Sequence, residues 1–89
     1  MPNIPARKPI AILAYKYSQG VDWARKELNI REVNSVHRRI VDKTGQVYYV
    51  ITEADQLLGL EIYDYIIAPG FGLHEDCSYI TQRAEERIR

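Results

Sequence analysis

Two short segments contain the groups best suited to binding a small ligand. Residues 16–20 read Lys-Tyr-Ser-Gln-Gly, and residues 69–74 read Pro-Gly-Phe-Gly-Leu-His. A lysine, a serine hydroxyl and free backbone amides at the start of a helix can together hold a phosphate. Thr52 adds a hydroxyl at a third predicted strand end. The candidate ligand-binding residues are therefore Lys16, Tyr17, Ser18, Gln19, Gly20, Thr52, Gly70, Phe71, Gly72 and His74.

No recognised nucleotide-binding motif supports this site. The sequence lacks both glycine-rich patterns, G-x-x-x-x-G-K-[ST] and G-x-G-x-x-G. Gly70-Phe71-Gly72 is a single G-x-G, and the alternative is that its glycines only release the chain from a strand. The ligand site is thus a hypothesis from architecture, and we predict no cofactor.

The sequence also offers little for catalysis or metal binding. His74, Glu75, Asp76 and Cys77 bring four ligand types together, but the spacings typical of zinc sites are absent. Cys77 and His74 could form a nucleophile–base pair. However, Cys77 falls on the apolar stripe of the last predicted helix, where cysteines are usually inert. We predict no catalytic residue, no metal site and no enzymatic activity.

A basic hairpin is a candidate for nucleic-acid binding. Arg38, Arg39 and Lys43 are predicted to cluster there, with Tyr48 and Tyr49 opposite, and such groups can bind single strands. The alternative is a charged edge hairpin with tyrosines in cross-strand pairs. The formal net charge is zero, with 12 basic and 12 acidic residues, which argues against a dedicated nucleic-acid binder.

The distribution of charge along the chain and its tyrosine content bear on whether the protein has a partner. Residues 1–45 contain nine Lys or Arg and four Asp or Glu, whereas residues 46–89 contain three and eight. Unless folding mixes the halves, this asymmetry permits a basic patch or charge-complementary self-association. The chain also has seven tyrosines, a residue type common at interfaces. Because the chain is short, formally neutral, without catalytic motifs and rich in tyrosine, our first functional hypothesis is a non-enzymatic protein that binds another protein or forms a homodimer.

Cysteine content and hydropathy predict a cytoplasmic protein. Cys77 is the single cysteine, so no internal disulfide can form, as is typical of reducing compartments. No apolar run approaches the roughly 20 residues of a membrane helix. Residues 1–8 lack the apolar core of a signal peptide and are predicted to be an extended lead-in.

The elements that must position these residues form one α/β domain over residues 1–89. Apolar runs predict strands at residues 9–15 and 64–68, both of the type buried on two faces. Alternation predicts a hairpin of strands 33–41 and 46–51, with a turn at residues 42–45. Helices are predicted at 21–29, at 52–58 with a capping box from Thr52 to Asp55 and a stop at Gly59, and from residue 76 onward.

Two architectures fit this order of elements. The first is a minimal Rossmann-like mixed sheet of about four strands with a β-hairpin and three helices, in which the strands near residues 9 and 64 are parallel neighbours. The second is a ferredoxin-like βαββαβ sheet with an added C-terminal helix. The two continuous apolar strands favour the first. In it, the carboxyl ends of the parallel strands meet at one edge, where ligands bind in such sheets.

Residues 14–71 resemble small uncharacterised Rossmann-like α/β proteins encoded by bacteriophages, particularly those of actinobacteria. The resemblance rests on residues 22–25 (Asp-Trp-Ala-Arg), 55–60 (Asp-Gln-Leu-Leu-Gly-Leu) and 66–71 (Ile-Ile-Ala-Pro-Gly-Phe). It implies a minimal Rossmann-like fold and an accessory role for a bacteriophage in the host cytoplasm. It carries over no catalytic residue.

Overall fold

The computed structural model describes residues 8–88, so most of the predicted lead-in lies outside the described residues. The elements are β1 (Ile10–Leu13), α1 (Tyr17–Glu27), β2 (Ile30–Asn34), β3 (Arg39–Asp42), β4 (Val47–Ile51), β5 (Asp64–Ile67) and α2 (Cys77–Glu86). Two 3₁₀ helices, Ala54–Leu57 and Phe71–Leu73, follow β4 and β5.

The five strands form one mixed sheet in the order β2-β3-β4-β1-β5. β1 pairs in parallel with both β4 and β5, while β2, β3 and β4 are antiparallel neighbours. The α/β class and the parallel pairing of the first and last strands are therefore confirmed. The ferredoxin-like alternative is wrong because its sheet is antiparallel throughout.

The fifth strand arises because the predicted strand 33–41 is itself a hairpin. Residues 35–38 form a turn in which Asn34 Oδ1 accepts a hydrogen bond from the His37 amide at 3.2 Å. Val33 pairs with Ile40 across the two strands, and both pack into the same core cluster. Because the apolar pattern continues from one strand into the other, alternation alone does not reveal this turn.

The predicted middle helix forms only the 3₁₀ helix Ala54–Leu57. Its capping partner is Gln56, whose Oε1 accepts from the Thr52 amide at 2.8 Å, and not Asp55 as predicted. Gly59 ends the turn at φ +73°, in the left-handed region, as predicted. The number of α-helices falls from three to two because this segment forms only a four-residue 3₁₀ helix before the left-handed Gly59.

Two core clusters pack against opposite faces of the sheet. Leu13, Ile51 and Phe71 pack under α2, whereas Ile12 and Val50 pack under α1. Because β1 and β4 lie between both layers, their successive residues are buried or half-buried and none is exposed, which explains their apolar runs. The prediction of a strand buried on both faces is wrong for β5, since Ile67 of this outermost strand is 53% exposed.

The two α-helices are 11 and 10 residues long. No helix in the described part of the chain is long and apolar enough to cross a membrane.

Candidate functional site

The carboxyl ends of β4, β1 and β5 meet at one side of the sheet, here called the carboxyl edge (residues 14–20, 35–38, 52–56 and 68–76). The Ala14 amide donates to Ile51 O and the Ala68 amide to Leu13 O, both at 2.9 Å. A Cβ atom at Gly70 would lie 3.4 Å from Gln19 Oε1. The two predicted ligand segments therefore lie side by side, which is the arrangement that the ligand hypothesis requires.

Most of the first segment is used to build α1. The helix starts at Tyr17, four residues earlier than predicted, and the Gln19 and Gly20 amides both donate to Lys16 O. A Cβ atom at Gly20 would lie only 2.6 Å from Val50 Cγ1, so this glycine allows α1 to approach β4. In residues 16–20, Lys16 and Ser18 are the exposed positions. Gly20 therefore serves packing, and few of these groups face solvent.

The His74 side chain joins the end of β4 to the loop before α2. Its Nδ1 accepts from the Asp76 amide at 3.0 Å, so its Nε2 carries the proton and donates to Thr52 O at 2.8 Å. The Tyr15 ring meets the imidazole edge-on, with ring centroids 6.0 Å apart. Because both ring nitrogens are engaged, His74 acts as a structural latch between Thr52 and Asp76.

An acidic cleft of about 490 Å³ opens beside this latch. It is lined by Tyr15, Thr52, Glu53, Ala54, Asp55, His74, Glu75, Asp76 and Tyr79. All four of its carboxylates are exposed, and none has an ion-pair partner within residues 8–88. No lysine or arginine of the described chain lines it. Such an arrangement attracts a cation and repels a phosphate.

The predicted phosphate lysine lies on the other side of Tyr15. Lys16 Nζ is 5.9 Å from the centroid of the Tyr15 ring, within cation–π range. Lys16 lines a second depression of about 500 Å³ together with Tyr15, Leu73, His74 and Glu75. This depression therefore has one lysine and one carboxylate, whereas the adjoining acidic cleft has four carboxylates and no cation among its lining residues.

A second cleft, the basic groove, lies across the first 3₁₀ helix from the acidic cleft. It measures about 370 Å³ and is lined by His37, Arg38, Tyr49, Val50, Ile51, Gln56, Leu58, Gly59 and Leu60. Arg38 has φ +53°, which makes it the one non-glycine residue with positive φ in the described chain. Leu58, one of the residues that line the groove, is 70% exposed. The groove therefore combines an apolar lining with a cation.

The three cations of the predicted nucleic-acid site do not form one patch. Arg38 precedes β3 and Lys43 follows it, so they lie at opposite ends of that strand. Arg39 Nη2 is paired with Glu32 Oε1 at 3.0 Å. Tyr48 is 6% exposed and packs under α1, while Tyr49 packs on the other face of the sheet. The structure therefore keeps Arg38 and Arg39 near Tyr49 but places Lys43 at the other end of β3 and Tyr48 on the other face of the sheet.

Cys77 and His74, which the sequence analysis considered as a nucleophile–base pair, lie in different surroundings. Cys77 packs against the core under α2 and borders a shallow groove beside Ile67 and Phe71, while the His74 ring is held by Thr52 and Asp76. Among residues 8–88, no group of three or more histidine, cysteine or acidic side chains is placed to hold a metal ion.

A buried polar network lies at the opposite edge of the sheet, where β1, β4 and β5 begin, here called the amino edge. Asp42 accepts hydrogen bonds from Thr44, from the Gln46 amide and from Tyr48 Oη, at 2.6–3.0 Å. Burial alone would raise the pKa of Asp42, but these hydrogen bonds outweigh it and lower the pKa below its ordinary value. Burial, together with the Asp42 carboxylate, raises the pKa of Tyr48 to about 12.

Of the nine residues that line the acidic cleft, only Thr52 and His74 were among the predicted ligand-binding residues; the seven others are Tyr15, Glu53, Ala54, Asp55, Glu75, Asp76 and Tyr79. The excess of acidic residues in the second half of the chain was the available signal. It could not point to a cleft, because residues 53–55 and 75–79 come together only through the parallel pairing of β4, β1 and β5.

No protein-family model, curated protein or solved structure matches this chain. The resemblance to bacteriophage proteins therefore stays a prediction from the sequence, and functional inference rests on the geometry of the carboxyl edge.

Proposed function

We propose that this protein is a non-enzymatic binding protein that receives a basic segment of a partner protein in the acidic cleft. The observation that carries the proposal is the group of four exposed carboxylates, Glu53, Asp55, Glu75 and Asp76, which have no cation to pair with within residues 8–88. Four carboxylates that line one cleft make its electrostatic potential negative, and a lysine or arginine from a partner is attracted to it.

The rims of the cleft favour a protein segment over an isolated cation. Tyr15 and Tyr79 are 39% and 48% exposed, and they can contact the alkyl stem of a long basic side chain. Both rings already attract cations of the chain itself, namely Lys16 at 5.9 Å and Arg83 at 5.1 Å. Tyrosine and arginine contacts of this kind are frequent at protein interfaces.

The alternative of a nucleotide at the strand ends has less support. The loops lie side by side as it requires, but the acidic cleft opposes a phosphate, and the Gln19 and Gly20 amides are used inside α1. Non-enzymatic binding is supported by His74, whose two ring nitrogens are both hydrogen-bonded to backbone groups. The accessory role for a bacteriophage remains part of the proposal on the strength of the sequence resemblance.

The test is an amide NMR titration of the labelled protein with three probes: a lysine- and arginine-containing hexapeptide, a glutamate hexapeptide and ATP. We expect shifts from the basic peptide alone, centred on residues 52–55 and 74–79. Because an exposed ion pair contributes roughly 0.2–1 kcal/mol, the double variant Glu53→Gln/Glu75→Gln is expected to weaken binding about fivefold.

The matched control is Asp22→Asn/Glu27→Gln, which removes two exposed carboxylates from α1, outside the cleft. It is expected to leave the affinity unchanged. Equal losses in both double variants would reduce the effect to net charge and contradict a defined site. Shifts with ATP at residues 16–20 and 70–74 would instead favour the nucleotide alternative.

A further inference from the structure

Leu73 is an apolar side chain held on an acidic surface. It is 78% exposed, follows Gly72, and comes just before the His74 latch and the carboxylates of Glu75 and Asp76. The latch fixes this loop at both ring nitrogens of His74. A loop already held in place loses little conformational freedom on binding. The structure thus presents a leucine and two carboxylates together in a defined arrangement.

The basic groove has the opposite character at the same edge of the sheet. Its lining includes Tyr49, Ile51 and Leu60 together with the cation Arg38. The Arg38 guanidinium has no ion-pair partner within residues 8–88. A volume of about 370 Å³ lies within the range of binding pockets. The groove is therefore complementary to an apolar side chain that is followed by an acidic one.

The groove and the Leu73 loop lie on the same side of the sheet. Tyr49, Leu60 and Phe71 all pack against the core cluster under α2, and the ends of β4 and β1 separate the two features along the carboxyl edge. A two-fold axis between them would place the loop of each copy against the groove of the other. Both contacts then form at once, as in an isologous dimer.

We infer that the partner of the carboxyl edge is a second copy of this chain. Leu73 of one copy enters the basic groove of the other, and Arg38 of that copy meets Glu75 and Asp76. The inference rests on the proposed function, because it assigns two of the acidic-cleft carboxylates to a cation of the second copy. It takes its cation from the basic first half of the chain and its two carboxylates from the acidic second half.

The first test is sedimentation equilibrium of the full chain over a range of concentrations, at low and at high salt. We expect a monomer of 10.4 kDa in equilibrium with a dimer that dissociates on dilution and on addition of salt. Leu73→Ser is expected to weaken dimerisation at least about tenfold, because each dimer buries two of these side chains. The control is Tyr63→Ser, which removes a 66% exposed aromatic beside Pro9 at the amino edge.

The second test is a charge exchange between the two surfaces. Arg38→Glu and Glu75→Arg are each expected to weaken the dimer, and the double variant Arg38→Glu/Glu75→Arg is expected to restore it. Lys43→Glu, at the other end of β3, is the matched control and is expected to have no effect. A chain that stays monomeric at every concentration, or a double variant without rescue, would overturn the inference.

The two proposals fail in distinguishable ways. A monomeric chain that still binds the basic hexapeptide at residues 52–55 and 74–79 overturns the second-copy inference and retains the proposed function. A dimer that shows the charge-exchange rescue, while the hexapeptide does not bind, restricts the carboxyl edge to self-association. A monomeric chain that binds no basic peptide overturns both.

Discussion

The two turns at the ends of β3 are built in opposite ways. At the amino edge, the turn after Asp42 satisfies the carboxylate with four hydrogen bonds, and Gly45 takes the left-handed position at φ +90°. At the carboxyl edge, the turn before β3 places Arg38 at φ +53° and leaves Val36 82% exposed. A side chain in that backbone region costs roughly 1 kcal/mol relative to glycine.

The turn after Asp42 stabilises the fold through its hydrogen bonds, whereas the turn before β3 keeps Arg38 in an unfavourable backbone conformation. Strain of this kind persists where the surrounding structure holds it, and it is frequent at binding surfaces. The carboxyl edge also has the unpaired carboxylates of the acidic cleft and the exposed Leu73. The comparison therefore supports a binding surface at the carboxyl edge and a structural role for the amino edge.

The largest effect is expected from Asp42→Ala. It removes the acceptor of four hydrogen bonds and leaves Tyr48 Oη buried without its partner, so the free energy of unfolding is expected to fall by about 3 kcal/mol. Urea unfolding followed by tryptophan fluorescence measures this loss. Tyr48→Phe, which removes one of the four bonds, is the graded control and is expected to cost about 1 kcal/mol.

The pH dependence of the same network has a defined sign. Because the pKa of Asp42 is lower in the folded chain, its contribution to stability is complete above the ordinary aspartate pKa of about 4. That contribution is lost as the pH falls through the lower pKa of the folded state. We therefore expect the free energy of unfolding, plotted against pH between 7 and 2, to fall more steeply for the wild type than for Asp42→Asn. Parallel curves would contradict this role.

A smaller effect is expected from His74→Ala, which breaks the latch at the carboxyl edge. The variant loses the bonds to Thr52 O and from the Asp76 amide, so its stability is expected to fall by about 1–2 kcal/mol. Hydrogen exchange of the Asp76 amide is expected to accelerate most. If binding of the basic hexapeptide survived unchanged, the latch would be structural only and would not pre-organise the acidic cleft.

The smallest effect is expected from Arg38→Gly, and its sign is opposite. Removing the side chain from the left-handed position is expected to raise the free energy of unfolding by at most about 1 kcal/mol, since glycine also gains freedom in the unfolded chain. The same variant is expected to weaken dimerisation. A variant that is less stable and dimerises normally would reverse the interpretation of this turn.

Sequence patterns predicted the elements whose environment is local. The unbroken apolar run of β1, the turn at residues 42–45 and the stop at Gly59 follow from side-chain type and backbone preference. The patterns missed the turn at residues 35–38, because Val33 and Ile40 keep the same alternation on both sides of it. They also overstated the burial of β5, because an apolar strand has the same sequence pattern whether it lies at the centre or at the edge of a sheet.

The candidate site was predicted in part. The strand-end rule selected residues 16–20, Thr52 and 70–74, and the structure brings them to one edge. Their chemistry could not be predicted, since the charge at that edge is set by Glu53, Asp55, Glu75 and Asp76 together.

The sequence by itself determined an α/β domain, the buried type of its first strand and the opposite charges of its two halves, because each follows from composition or from local periodicity; that the first and last strands are parallel neighbours was decided between two open architectures only by the structure. Only the tertiary structure decided that residues 36–38, 53–55 and 73–76 share one edge, that Gly20 serves packing and that His74 is a latch. The physical reason is that these roles depend on contacts between segments 15–40 residues apart in the chain, which strand order creates and local preference does not encode.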